Sequence, residues 1–131
     1  MSKVRYEDWL RQAEEDLKWG MDTLAHNYYP QACFIAQQVA EKALKALVFY
    51  RQYSGINSHS IVKLAAALDI NGDILNAGKR LDQYYISTRY PDAMPDGIPS
   101  EFITEDQALE AINLSRLVLE KIKIIIGTEH P

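Results

Sequence analysis

The stretch YYISTRYPDAMPDGIP, residues 84–99, gathers an arginine, three tyrosines and two aspartates around three prolines. Arginine offers a planar fork of N–H donors that matches phosphate or carboxylate oxygens, and a tyrosine ring offers a face on which a base stacks. The prolines stiffen the segment, as a preorganised site requires. We therefore expect Arg89, with Tyr90 and Asp92 shaping its position, to line a groove that binds a phosphate-bearing ligand or an acidic partner surface.

A structural role explains part of the same stretch. If a helix ends at Thr88, Arg89 caps its last carbonyls and pairs with Asp92, while the tyrosines pack the end of the helical domain. A salt bridge accounts for the arginine and the aspartate but leaves the tyrosine cluster without a reason. Both interpretations stay open from the sequence.

His59, in the segment NSHS, is the next candidate, and we expect it and Tyr84 to point toward the same groove. At the start of a helix its ring would meet unpaired backbone N–H groups, which favour the neutral imidazole. The ring then either packs against the preceding helix or serves as a hydrogen-bonding group in a cleft. Lys42, Lys45 and Lys63 would add positive charge if they face the groove, and otherwise they form a solvated helix face.

Signals for metal, cofactor or nucleophilic chemistry are missing from the sequence. The histidines at positions 26, 59 and 130 do not have metal-ligand spacing with one another or with Cys33. Neither paired Glu-x-x-His motifs nor a glycine-rich phosphate loop occurs. We predict no catalytic residue, no metal site and no cofactor. Cys33 lies among apolar residues at helical spacing, which predicts a buried, unreactive thiol.

The composition is that of a soluble globular chain. The 131 residues suffice for one domain, with 47% hydrophobic and 24% charged residues. A net charge of −4 argues against binding nucleic acid through bulk electrostatics but leaves room for a local basic pocket. One cysteine, no signal peptide and no apolar run of membrane-spanning length predict a cytoplasmic protein that does not enter the membrane.

Apolar residues recur every three or four positions over most of the chain, which predicts an all-α fold. We expect helices over residues 4–25, 30–52, 61–69 and 73–87, and a last helix that Thr104 caps and Gly127 ends. Short connections favour a five-helix up-and-down bundle, with four helices in the core and one short helix. The second helix has more apolar surface than a peripheral helix needs, which predicts a homodimer.

The chain resembles the HEPN domain (higher eukaryotes and prokaryotes nucleotide-binding) from Tyr6 to Ile125. The resemblance is carried by three segments in order: AEEDLKWGMDTLAHNYYPQACFIAQQVAEKALKAL, then HSIVKLAAAL, then YYISTRYPDA. It implies a five-helix bundle that commonly dimerises and is often encoded beside a small nucleotidyltransferase, with which it forms a toxin–antitoxin or stress pair. Many members are metal-independent RNases with an arginine and a histidine separated by four to six residues, and others bind nucleotides or act as non-catalytic partners.

The sequence departs from the RNase pattern of that family. None of its arginines, at positions 5, 11, 51, 80, 89 and 116, is followed by a histidine at that spacing. We therefore expect one HEPN-like domain over residues 1–131, which binds a nucleotide and acts as the non-catalytic partner of a small nucleotidyltransferase. The alternatives are a metal-independent RNase toxin, with Arg89 and His59 assembled across the fold, and an adaptor without a ligand.

Overall fold

The computed structural model describes residues 2–129, and side chains from residue 5 onward. Residues 1, 130 and 131 of the predicted single domain, and with them His130, lie outside the described residues. The described residues form six α-helices: α1 (Ser2–Ala25), α2 (Tyr29–Arg51), α3 (Ile61–Ala67), α4 (Gly72–Leu81), α5 (Tyr84–Ser87) and α6 (Glu105–Glu129). Two short 3₁₀ turns, Pro91–Ala93 and Pro99–Glu101, lie between α5 and α6. Within residues 2–129 there is no strand, and the predicted all-α bundle is confirmed.

Helix α2 is the centre of the bundle. Fifteen of its 23 residues are buried, because α1 packs along one side and α6 along another. The apolar surface that predicted a homodimer is therefore covered within the chain, and that reason for a dimer is wrong. Between Phe34 and Phe49 the residues of α2 that remain partly exposed are Phe34, Gln38, Lys42, Lys45 and Phe49. They form one stripe at helical spacing, and Phe34, the first of them, belongs to the candidate site.

Local sequence signals set the starts of two helices, and the predicted Thr104 cap is confirmed. Thr104 caps α6: its hydroxyl oxygen accepts from the N–H of Gln107, whose side-chain oxygen accepts from the N–H of Thr104. Ser60 caps α3 by accepting from the N–H of Lys63. The predicted end of the last helix at Gly127 is wrong, since α6 continues through Glu129.

The predicted fourth helix, residues 73–87, is divided into α4 and α5. The division falls at Asp82 and Gln83, and the Asp82 side chain reaches the start of α3. Close packing joins the same elements, because a Cβ atom at Gly78 would lie 2.8 Å from Cγ2 of Ile61. The start of α3 is thus fixed against α4. In the part of the chain that the structure describes, no helix has the length and apolar character needed to cross a membrane.

Candidate functional site

Asp82 positions the site by joining three elements. Its carboxylate accepts hydrogen bonds from the backbone N–H groups of Ile61 and Val62, at 2.8 and 3.0 Å, and from the Ser60 hydroxyl at 2.8 Å. These N–H groups are the unpaired donors of the first turn of α3. A residue from the α4–α5 junction therefore caps α3, which places Tyr85 of α5 beside His59.

His59 lies just before α3, with its side chain 61% exposed. The Gln37 side-chain amide donates to the His59 backbone carbonyl at 2.8 Å, and Nδ1 of the ring is 3.1 Å from Oε2 of Glu41. The ring stacks on Tyr85, with 5.2 Å between centroids and 17° between planes. The expectation that the ring meets unpaired N–H groups of the helix is wrong, because Asp82 and Ser60 accept from those groups.

Glu41 is a buried carboxylate, 4% exposed, beneath that histidine. Its Oε2 accepts from Nζ of Lys45 at 2.8 Å, which confirms the pairing expected for two residues one helical turn apart. The Lys45 ammonium also lies 5.8 Å from the ring centroid of Trp9. Lys45 thus lies next to the candidate groove, but its charge neutralises Glu41.

Arg89 lies just after α5, and its side chain packs over aromatic rings. Nε donates to the backbone carbonyl of Tyr85 at 3.0 Å, which is the expected capping of the helix end. The guanidinium carbon is 4.4 Å from the ring centroid of Phe34, 5.0 Å from that of Tyr85 and 5.1 Å from that of Tyr90. No ion pair joins Arg89 to Asp92 among residues 5–129, where ten pairs of Lys or Arg with Asp or Glu are found.

The remaining predicted residues lie elsewhere. Tyr84 is 2% exposed and packs in the core instead of facing the groove. Lys42 forms an ion pair with Asp16 of α1 and has no contact with His59 or Arg89 among the described residues. Lys63 is exposed on α3, and Asp92 is exposed in the first 3₁₀ turn.

Burial changes the titration of two core groups near the site. It raises the pKa of the Tyr84 phenol to about 12, and the neighbouring Cys33 and Glu110 add to the rise. Burial also raises the pKa of the Cys33 thiol to about 12. The thiol is therefore protonated at neutral pH, and the predicted burial of Cys33 is confirmed.

Together these contacts define one surface, which we call the His59–Arg89 surface and which consists of Phe34, His59, Tyr85, Arg89 and Tyr90. The Tyr85 ring is its centre, because the imidazole of His59 and the guanidinium of Arg89 both lie about 5 Å from it. A groove of about 280 Å³ beside it is lined by His59, Ser60, Asp82, Tyr85 and Ile86. The surface combines a cation, an imidazole and exposed ring faces, which together can hold a phosphate and stack a base.

Sequence reasoning missed Tyr85 and Phe34 as members of this surface, and Gln37 and Glu41 as its support. Tyr85 had a usable signal, since a residue four positions before Arg89 lies on the same helical face. The other three come from α2 and meet the surface only through the tertiary fold. In the described part of the chain, no group of three or more His, Cys, Asp or Glu residues could hold a metal ion.

Comparison with known proteins gives consistent results. The family model described as "HEPN domain" matches residues 6–125. A protein of Methanocaldococcus jannaschii named "Putative toxin MJ1304" is 28% identical over 133 aligned positions, which cover 92% of this chain and 88% of that protein.

Two solved structures share both sequence and fold with this chain. The crystal structure of TT1696 from Thermus thermophilus is 40% identical, with a TM-score of 0.84 over 91% of this chain and 96% of the other. The crystal structure of ST0689, an archaeal HEPN homologue, is 39% identical, with a TM-score of 0.82 over 92% of this chain and 97% of the other.

Proposed function

Since this chain belongs to the HEPN domain family, we propose that it binds a nucleotide at the His59–Arg89 surface and acts as the non-catalytic partner of a small nucleotidyltransferase in a toxin–antitoxin pair. The toxin–antitoxin part is supported by the name of the Methanocaldococcus jannaschii relative. The nucleotidyltransferase part is supported by what the family resemblance implies. The nucleotide part rests on the geometry of Arg89.

The observation that carries the nucleotide proposal is that the Arg89 guanidinium is ordered by its neighbours but keeps unused hydrogen-bond donors. Three aromatic rings hold its plane, and Nε is engaged with the Tyr85 carbonyl. Neither terminal nitrogen has a hydrogen-bond partner among the described residues. An oriented guanidinium with unused donors matches the paired oxygens of a phosphate, and less side-chain entropy is lost when an already ordered group binds.

The neighbouring rings suit the rest of a nucleotide. Tyr90 is 50% exposed beside the guanidinium and offers a face for a base, while His59 offers a ring nitrogen. The overall charge of −4 makes such a site local, so binding depends on these few groups and not on a broad basic surface.

Calorimetric titration with AMP and ATP tests the proposal. We expect Arg89→Ala to weaken binding by about 1.5–3 kcal/mol, the range for hydrogen bonds to charged groups. Arg80→Ala is the matched control, because Arg80 is also exposed and pairs with Glu110 of α6 away from the surface. Arg89→Lys keeps the charge but loses the fork, and we expect it to recover only part of the affinity.

Melting curves on the same variants separate the proposal from a purely structural role. The nucleotide proposal is rejected if Arg89→Ala melts at a lower temperature than wild type but binds AMP with wild-type affinity. An adaptor without a ligand predicts no stabilisation of the wild type by any nucleotide. A binding protein should gain about 2.7 kcal/mol at a ligand concentration 100 times the dissociation constant.

The partner is tested by co-expression with the small nucleotidyltransferase encoded nearest to this gene. We expect the two chains to co-purify and the complex to survive gel filtration. Separate migration of the two chains at micromolar concentration contradicts the partner proposal. Sedimentation of the isolated chain tests the homodimer in the same preparation, and a clean monomer refutes it.

Metal-independent RNA cleavage is the second candidate, and one specific observation favours it. His59 and Arg89 each lie about 5 Å from the centroid of the Tyr85 ring, which puts a candidate base and a cation on one surface without the sequence motif. Incubation of single-stranded RNA with the protein in EDTA tests this candidate. Cleavage that His59→Ala and Arg89→Ala each abolish supports it, and intact RNA after prolonged incubation with the wild type rejects it.

A further inference from the structure

Two buried residues of α2, Gln37 and Glu41, hold His59 from the inside of the bundle. They lie one helical turn apart and are 0% and 4% exposed. Gln37 donates to the backbone carbonyl of His59 at 2.8 Å, and Glu41 meets ring atom Nδ1 at 3.1 Å. The backbone and the inner edge of the ring are therefore both fixed, while most of the side chain stays exposed.

Glu41 determines which ring nitrogen faces outward. Stacking on Tyr85 fixes the plane of the imidazole, but a half-turn about the Cβ–Cγ bond leaves the ring in the same plane and preserves the stacking. Only the carboxylate distinguishes the two orientations, because a half-turn would place a ring carbon against it. The Glu41 carboxylate accepts from the Lys45 ammonium and offers His59 only acceptor oxygens, so Nδ1 must carry the proton of their hydrogen bond.

From this geometry we infer that Glu41 is a positioning residue that holds His59 in the Nδ1–H tautomer, with Nε2 directed outward as the atom that meets a ligand. The tautomer part stands on the contacts of Glu41 alone. The ligand part rests on the proposed function, since it requires that a nucleotide occupies the His59–Arg89 surface. The same arrangement, in which a carboxylate orients a histidine, fixes the tautomer of histidines in many protein sites.

A second acid–lysine pair in the bundle serves as an internal control. Asp16 of α1 is 7% exposed and pairs with Lys42 of α2, as Glu41 pairs with Lys45. Asp16 also accepts from Gln12 and has no contact with a histidine among the described residues. Asp16→Asn therefore removes a buried charge of the same kind without touching His59.

The tautomer is measured by NMR on protein labelled with ¹⁵N-histidine, at about pH 8.5, well above the ordinary pKa of the imidazole. The His59 signals are assigned by their loss in His59→Gln. We expect the Nδ1–H pattern in wild type and in Asp16→Asn, and a shift toward Nε2–H in Glu41→Met, which removes the acceptor oxygen that Lys45 and His59 share. An Nε2–H pattern in the wild type overturns the inference whatever the variants do, as does an unchanged pattern in Glu41→Met. The same shift in Asp16→Asn also overturns it, because it would reflect general loosening.

Titration with AMP then tests the ligand part. We expect Glu41→Met to weaken binding about two- to tenfold, the effect of one hydrogen bond, and Asp16→Asn to bind as wild type. Full affinity in Glu41→Met, despite the tautomer shift, overturns the role of Nε2. A tautomer shift in a protein whose wild type does not bind AMP supports the positioning by Glu41 and rejects the proposed nucleotide binding, so the two failures are distinguishable.

Discussion

Asp82→Ala should be the most destabilising single change outside the apolar core. The Asp82 carboxylate accepts from two backbone N–H groups at the start of α3, at 2.8 and 3.0 Å, and from the Ser60 hydroxyl at 2.8 Å. Loss of a helix cap costs about 0.5–2 kcal/mol, and each buried donor left without a partner costs about 1–3 kcal/mol. Since Ile61 is fully buried and Val62 partly so, we expect a loss of about 2–4 kcal/mol.

Urea denaturation followed by far-ultraviolet circular dichroism measures that loss as a lower midpoint with an unchanged slope. Asp82→Asn keeps one acceptor oxygen and should cost roughly half as much, about 1–2 kcal/mol. Asp73→Ala is the control, because Asp73 is exposed in the first turn of α4 and its ion pair with Lys121 is 3.5 Å long at the surface. Its removal should cost under about 1 kcal/mol.

Asp82→Ala should also disturb the His59–Arg89 surface. When α3 is no longer fixed to the α4–α5 junction, His59 should lose its stacking on Tyr85, and the upfield ring-current shift of the imidazole protons should shrink. The reasoning is refuted if Asp82→Ala unfolds within about 0.5 kcal/mol of wild type, the spread of neutral surface substitutions. It is equally refuted if Asp73→Ala costs as much.

Three further predictions concern packing, pH and the end of α6. Gly78→Ala should lower the free energy of unfolding by about 1–2 kcal/mol, because the new Cβ atom would lie 2.8 Å from Ile61. Gly127→Ala should raise it by about 0.5–1 kcal/mol, because the new Cβ atom would meet nothing within 4 Å and alanine favours the helix. Urea midpoints of the two variants measure both changes. Cys33 and Tyr84 hold their protons more tightly in the folded chain, with pKa values of about 12 against ordinary values of 9.0 and 10.0. Their contribution to stability is therefore complete below about pH 9 and is lost as the pH rises toward 12, so urea midpoints should fall over that range, and a midpoint constant to about pH 11.5 would contradict this. Arg51→Ala removes hydrogen bonds to Glu129 and to the Leu68 carbonyl, and hydrogen exchange should show faster opening of the last turns of α6, with a loss of about 1.5–3 kcal/mol.

Most of the fold follows from local patterns in the sequence. The long helices repeat apolar residues at helical spacing, and the capping box at Thr104 and Gln107 marks the start of α6 in both the sequence and the structure. The pair of Glu41 and Lys45 was also visible as residues four positions apart. These features are predictable because each involves residues within one or two turns of one another.

The failures have tertiary causes. The segment DILNAGKRLDQYYIS has no proline and is typical of one continuous helix. In the structure α4 ends at Leu81, and the side chain of the next residue, Asp82, caps α3, a partner that lies far away in the sequence. Gly127 does not end α6, because Arg51 of α2 holds Glu129 beyond it with two hydrogen bonds. Tyr84 and Tyr85 are neighbours of the same type, and only the packing of α5 decides that Tyr84 is buried and Tyr85 lies at the surface.

The candidate site shows why a search by residue spacing fails here. An arginine and a histidine that act together on one helix must lie a turn or so apart, and no pair in this chain does. In the structure Arg89 and His59 come together because both contact the ring of Tyr85. Arg89 follows α5, the helix that contains Tyr85, and His59 reaches the ring because Asp82 fixes α3 beside α5. Both functional groups are then held by residues that do no chemistry themselves. The geometry of the pair depends on Asp82, Tyr85 and Glu41. Under either proposal, nucleotide binding or RNA cleavage, substitution of these three residues should therefore change activity without removing Arg89 or His59.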